Sequence, residues 1–165
     1  MPVVTAYLGL GSNLGDRLAN LREAIRRLED GGACKVVKRS SVYETKPVGM
    51  VEQPDFLNAV VEVETAFEPR DLLRLCKSIE NEMGRVRTNK WGPRVIDVDI
   101  LLHGGSRVLE DDLTIPHAEM IGRAFVLVPL AEIAPDVEVA PGVTARSAAE
   151  RADREGVRRI DDASL

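Results

Sequence analysis

The chain has 165 residues, 44% of them hydrophobic and 30% charged, with a net charge of −5 at pH 7. That length suits one domain spanning 1–165 with its own core, and the acidic balance, with a pI of about 5.2, argues against a nucleic-acid surface. No apolar run approaches the roughly 20 residues of a membrane span and MPVVTAYLG lacks a signal-peptide pattern, so the expected setting is the cytoplasm. There Cys34 and Cys76, with no CxxC spacing, read as reduced structural thiols.

VVTAYLGLGS reads as a first strand. A helix follows from about Gly15 to Glu29, with Leu18, Leu21, Ile25 and Leu28 at helical spacing and Asn13 or Asp16 as its cap. The glycines of GLGSNLGDR lack both the GK[ST] ending of a Walker A loop and the GxGxxG spacing of a dinucleotide site, and read as a tight strand-to-helix turn. Lys35–Lys38 and Ser41–Thr45 look like short strand pieces around a kink, and YETKPVG like a turn. Leu57–Thr65 is a clearer strand: Leu57, Ala59, Val61 and Val63 share one face, and Phe56, Asn58, Val60 and Glu62 the other.

Pro69 suits the first position of a second helix, whose buried stripe is Leu72, Leu75, Cys76, Ile79 and Met83 and whose stop is Gly84. GRVRTNKWGPR then carries Arg85, Arg87, Lys90 and Arg94 with no acid among them. In an acidic protein such a loop suits a compact anion, although a solvated basic loop is the plainer alternative. It runs straight into WGPRVIDVDILL, where Ile96, Val98, Ile100 and Leu102 alternate with Asp97, Asp99 and His103. RAFVLVPLAEIAP reads as a strand and a helical turn, 144–155 as a short helix, and 161–165 as a frayed end. The order β-α-β-β-α-β plus a tail predicts an α+β fold: a ferredoxin-like βαββαβ sandwich with an antiparallel-rich sheet, helices packed on it and a C-terminal extension at 140–165.

In that fold Phe56, Asn58, Asp97 and Asp99 share the sheet face opposite the helices. Residues i and i+2 on a strand lie roughly 6.5–7 Å apart on one side. Two such carboxylates are suited to hard divalent cations shared with substrate phosphates. The basic residues next to them suit the phosphate oxygens. Three alternatives stay open on the residues alone. Asp97 and Asp99 could decorate a solvated strand or pair internally with Arg94, and His117 and Arg123 could be structural. The domain could be a non-catalytic nucleotide-binding module, or an RNA-binding sheet, which the charge disfavours. Nothing in DxD plus arginines distinguishes a kinase from a pyrophosphokinase.

Taken together, GLGSNLGDR, SSVYETKPVG, QPDFLNAVVEVET, GRVR…KWGPRVIDVDILL and LTIPH…RAFVLVPLAEIAPD closely resemble the 6-hydroxymethyl-7,8-dihydropterin pyrophosphokinases of folate biosynthesis, over about 6–136. The resemblance implies transfer of pyrophosphate from MgATP to the hydroxymethyl group of the reduced pterin, leaving AMP. It implies two Mg²⁺ ions on Asp97 and Asp99, with Arg85 and Arg94 beside them in catalysis. Glu80, Arg85, Arg87, Lys90, Trp91, Arg94, Ile100, Thr114, His117 and Arg123 match ATP-binding positions. Thr45, Lys46, Val48, Phe56, Asn58, Trp91 and Phe125 match the pterin pocket, with Phe56 and Phe125 sandwiching the ring. It also implies loops around Lys46–Gln53 and Arg85–Trp91 that close over the substrates. Phe56 stands where a tyrosine is usual, Lys46 where proline occurs and Lys90 where arginine occurs, in a basic loop one residue shorter. Asp112 and Ala118 replace an arginine and a tyrosine. The expected partners are the two small substrates, with no nucleic acid and no membrane, and one compact domain suggests a monomer.

Overall fold

The structure, a computed structural model, describes residues 2–47, 52–84 and 94–165. Strand β1 (Val4–Ser12) leads to helix α1 (Arg17–Asp30), then to β2 (Cys34–Arg39), β3 (Val42–Thr45) and β4 (Phe56–Thr65). Helix α2 (Pro69–Glu82) precedes β5 (Asp97–His103), the hairpin β6 (Val108–Glu110) and β7 (Leu113–Ile115), and helix α3 (Ala124–Ile133). The C-terminal part holds β8 (Glu138–Ala140), β9 (Val143–Thr144), α4 (Ala145–Arg151) and β10 (Val157–Ile160).

The expected α+β sandwich is present. The main sheet runs β10-β3-β4-β1-β5, with β2 also on β4, and its paired strands are antiparallel. β2 and β3 lie end to end along the same side of β4, facing Val61–Thr65 and Phe56–Asn58 respectively. Buried Ser40 fills the break between them. Its N–H donates to Val60 O at 2.9 Å, and its hydroxyl accepts from Val60 N–H at 2.9 Å.

Period-two alternation divides the apolar residues between two cores. Ala6, Leu8 and Leu10 of β1, Ala59 and Val61 of β4, and Val98 and Ile100 of β5 pack against Leu21 and Leu28 of α1 and Leu72 and Ile79 of α2. Asp16 caps α1 by accepting from Ala19 N–H at 3.1 Å. Pro69 opens α2, and Gly84 ends it at φ +82°, a conformation open to glycine but strained for other residues.

On the opposite face Val60 and Leu101 pack against Leu127 and Leu130 of α3 and against Ala145 and Ala149 of α4. Here the expectation of a strand in RAFVLVPLAEIAP fails: Ala124–Ile133 is helical, with Pro129 inside it. The segment is apolar nearly throughout, so it shows no 3.6-residue stripe, and its valines and proline mimic a strand. Glu132 pins this helix to the sheet, accepting from Ser41 N–H at 3.0 Å and Tyr43 O–H at 2.7 Å. Burial and that hydrogen bond push the Tyr43 phenol up to about 12. The tail is not frayed either. Ala163 and Leu165 pack on the first core, and Ser164 O accepts from Arg22 at 2.7 and 3.0 Å.

Ser40→Ala removes the hydroxyl that bridges the break. It is expected to cost about 1–3 kcal/mol through the buried Val60 N–H left unpaired, measured as a lowered urea midpoint at constant slope.

Candidate active site

β1 lies between β4 and β5, and its register sets Gly11 between Asn58 and Asp97, and Gly9 between Val60 and Asp99. Directly opposed residues of antiparallel strands project to the same face, so an amide and two carboxylates stand around a strip of bare backbone. The strip has to be bare: a Cβ on Gly11 would lie 2.8 Å from Asn58 Oδ1 and 3.6 Å from Phe56 Cδ1. Gly9 and Gly11 fall within β1, the strand expected in VVTAYLGLGS, and the strand-to-helix turn begins only after Ser12. Their leucine neighbours, Leu8 and Leu10, fill the core on the other face. That alternation was the available signal, and the glycines are functional-surface residues that sequence reasoning missed.

A cavity of about 290 Å³ sits over this strip. It brings together Thr45, Lys46, Phe56, Asn58, Arg94, Asp97, Asp99, His117, Arg123 and Phe125, all expected at the site, together with Gly9 and Gly11. One wall is orienting: Asn58 Nδ2 donates to Thr45 Oγ1 at 2.6 Å with both residues buried, fixing the amide. Phe56 and Phe125 give the cavity its aromatic surface, from β4 and α3. The Arg123 guanidinium lies 5.6 Å from the Phe125 ring centre and is ion-paired to Glu119.

The acidic wall belongs to β5. Arg94 Nη1 lies 3.7 Å from Asp97 Oδ1, a loose pair that makes part of the internal pairing considered from sequence. Asn13 holds the start of this segment. It is 1% exposed; its N–H donates to Arg94 O at 3.0 Å, and its Oδ1 accepts from Arg94 N–H at 2.7 Å. Its Nδ2 donates to Gln53 Oε1 at 2.8 Å and Pro54 O at 2.9 Å. Asn13 is therefore no helix cap, that role being Asp16's, but a tie between two chain segments at the cavity. Glu80 stands apart from the other residues expected at the nucleotide. It is 1% exposed and lines neither cavity. Its Oε2 accepts from Val98 N–H at 2.9 Å, between the two aspartates and behind the strand.

A second cavity of about 300 Å³ adjoins the first and shares Asp99 and His117 with it. Ile100, Thr114, Lys77, Asp112 and Ala118 line it. Arg70 donates to both Asp112 oxygens at 2.8 Å, and its guanidinium holds that exposed carboxyl below the usual range. His117 is fixed by the backbone: its N–H donates to Leu101 O at 3.0 Å, and its Nδ1 accepts from Glu119 N–H at 3.2 Å. An accepting Nδ1 leaves the proton of the neutral ring on Nε2. Burial pushes the His117 pKa down, the Arg123 charge adds to this, and Glu119 opposes it. Val48, Arg85, Arg87, Lys90 and Trp91, also expected at the site, lie outside the described residues.

Among the described residues no group of three or more histidines, cysteines and acids is placed to hold a metal. Two carboxylates on one strand beside an arginine are a donor set for magnesium arriving with a polyphosphate, which completes its shell with phosphate oxygens and water.

The sequence profile of 7,8-dihydro-6-hydroxymethylpterin-pyrophosphokinase (HPPK) matches residues 7–135. The chain belongs to this family. The 2-amino-4-hydroxy-6-hydroxymethyldihydropteridine pyrophosphokinase of Methylorubrum extorquens is 48% identical over 156 residues, 94% of this chain and 98% of that protein. The enzyme of the same name from Bacillus subtilis is 46% identical over 93% of this chain and 88% of its own length. An HPPK-DHPS in complex with substrates superposes with a TM-score of 0.74 at 16% identity, over 96% of this chain and 47% of that one. A wild-type Plasmodium falciparum HPPK-DHPS with pteroate gives 0.75, again over 96% and 48%. The chain thus spans about half the length of these two-part proteins, whose likeness is one of fold, and nearly the full length of the two bacterial HPPK relatives.

At pH 7 a long-range ¹H–¹⁵N spectrum is expected to show His117 neutral with its proton on Nε2, titrating below about 6.5. The unfolded chain binds that proton more readily than the folded one. The stability contributed by His117 is therefore complete above the unfolded value and is lost as pH falls through the folded midpoint.

Proposed function

We propose that this chain carries out the HPPK reaction of folate biosynthesis with the residues gathered at the two cavities. Pyrophosphate passes from MgATP to the hydroxymethyl oxygen of 6-hydroxymethyl-7,8-dihydropterin, and AMP leaves. The observation that carries this reading is the register of β4, β1 and β5. It puts a fixed amide and an aromatic surface on one side of a bare strip, and two carboxylates with an arginine on the other.

In this reading the flat pterin lies over Gly9 and Gly11 between Phe56 and Phe125, a stacking arrangement, while Asn58 meets its amide-like edge. Thr45 and Lys46 close that side, and the family resemblance adds Val48 and Trp91, which lie outside the described residues. The nucleoside occupies the second cavity along Ile100 and Thr114, and the triphosphate crosses from there to the pterin past His117 and Asp99. Arg94 and Arg123 face the phosphates, a role that the family resemblance extends to Arg85, Arg87 and Lys90. Glu80 supports the strand from behind.

Asp97 and Asp99 would hold two Mg²⁺ ions, which when bound offset phosphate charge and make a coordinated hydroxyl easier to deprotonate. The pterin oxygen forms a bond to the β-phosphorus as the bond from that phosphorus to the α–β bridging oxygen breaks. The arginines offset charge growing on the transferring oxygens. His117, with Nδ1 already accepting, presents an N–H donor to a phosphate oxygen and takes no proton from the hydroxymethyl group. The hydroxymethyl proton passes to water, and no described side chain is assigned as a general base.

The chain acts as one domain, its C-terminal strand being hydrogen-bonded into the main sheet, and we read that single compact domain as a monomer. No helix among the described residues is long and apolar enough to cross a membrane. We place the reaction in the cytoplasm, where ATP is plentiful and the buried thiols of Cys34 and Cys76 stay reduced.

Protein incubated with MgATP and the reduced hydroxymethylpterin is expected to yield AMP; ADP would make it a simple kinase, and no turnover a binding module. Asp97→Ala and Asp99→Ala are each expected to lower kcat by about 10³ or more while the circular dichroism spectrum stays unchanged. Near-normal turnover in either would remove the metal assignment. Gly11→Ala, by displacing the Asn58 amide, is expected to raise the pterin KM about tenfold or more with the MgATP KM little changed.

A further inference from the structure

The family match ends at residue 135, yet β10 at Val157–Ile160 is an edge strand of the main sheet. Its partner is β3, in the register Val157↔Thr45, Arg158↔Glu44, Arg159↔Tyr43 and Ile160↔Val42. β3 has only four residues, and it ends where the substrate-side wall begins. Thr45 pairs with Phe56, and its hydroxyl fixes Asn58. Lys46, the next residue, lines the cavity.

Three contacts join β10 to that wall. The ladder itself reaches Thr45. The turn entering β10 runs beside Lys46, near enough that a Cβ added to Gly156 would lie 3.5 Å from Lys46 Cδ. The third is electrostatic: Arg158 of β10 is ion-paired to Glu44, whose other oxygen accepts from Arg17 Nη1 at 2.8 Å. The same Arg17 nitrogen donates to Asp55 O at 2.8 Å, immediately before Phe56. Glu44 is the protected junction, its side chain 17% exposed against 71% for Arg158. Beyond β10 the chain is anchored again, by Arg22 on Ser164 O and by Ala163 and Leu165 on the core.

We propose that β10 is a positioning element for the pterin wall, holding Thr45, Lys46 and the Asn58 amide in register through the β3 ladder and the Arg158–Glu44–Arg17 chain. The inference rests on the assignment of this wall to the pterin. Without β10, β3 becomes a four-residue edge held from one side only. Edge strands of that length pair weakly, so Thr45 loosens and the amide it orients loosens with it. β5 and the second cavity lie at the far side of β4 and β1 from β10, so the nucleotide side is untouched.

The test compares a chain ending at Glu155, Glu44→Gln and Phe56→Ala in steady-state kinetics with each substrate varied in turn. The shortened chain is expected to raise the pterin KM about tenfold or more, and Glu44→Gln about three- to tenfold. In both, kcat and the MgATP KM should stay within about twofold. Glu44→Gln leaves β10 in the chain and keeps the side chain's shape, so it decides the matter if the shortened chain does not fold. An unchanged pterin KM in the strand variants, or equal rises for both substrates, overturns the inference. Phe56→Ala separates the two readings. If it too leaves the pterin KM unchanged, the wall is not the pterin's and the inference falls with that assignment. If it raises the KM while the strand variants do not, the assignment stands and the positioning role is refuted.

Discussion

A single buried amide, that of Asn13, ties together the two stretches of chain that flank the cavity. Its oxygen accepts from the Arg94 N–H, at the entry to the aspartate strand, where the Asn13 backbone N–H also donates to Arg94 O, and its NH2 donates to Gln53 and Pro54, at the entry to β4. A side-chain amide has one acceptor and two donors, and here each is used. Any of these partners left unpaired in a buried place costs about 1–3 kcal/mol. The tie therefore fixes the distance between the wall that carries Phe56 and Asn58 and the wall that carries Asp97 and Asp99. Catalysis by alignment needs that distance constant.

The sheet supplies the rest of the rigidity by having two covered faces. One core, under α1 and α2, takes alternate residues of β1 and β4 and, from β5, Val98 and Ile100. The other, under α3 and α4, covers the ligand face only where Val60 and Leu101 meet Leu127 and Leu130. Beyond that point the same strands emerge from under the helices, and their next outward residues, Asn58 and Asp99, become cavity wall. α3 serves both purposes, since Leu127 and Leu130 bury its middle while Arg123 and Phe125 border the opening.

Much of this was legible in residue order because it depends on local periodicity. The period-two strands fixed which side chains share a face with Asp97, and Pro69 and Gly84 marked the ends of α2. Three features were not legible, each for its own reason. α3 is apolar on nearly all sides, so its helical period has no polar face against which to show. The role of Asn13 lies in hydrogen bonds spanning 40, 41 and 81 residues, and such partners leave no mark in the neighbouring sequence. Gly9 and Gly11 were read into the first strand, but their place as the bare floor of a cavity follows only from the register of β1 with β4 and β5. Of the residues expected at the site, those described line one cavity or the other except Glu80, since a buried carboxylate bonded to a backbone N–H resembles a ligand-facing one in sequence.

The bare strip of β1 has an evolutionary consequence. A position without a side chain has nothing to lose by mutation, so every exchange at Gly9 or Gly11 adds bulk and shrinks the chamber above it. Adaptation toward larger or differently substituted rings must then come from trimming the surrounding walls, at Phe56, Asn58 and Phe125. The floor itself offers drift no direction in which to widen.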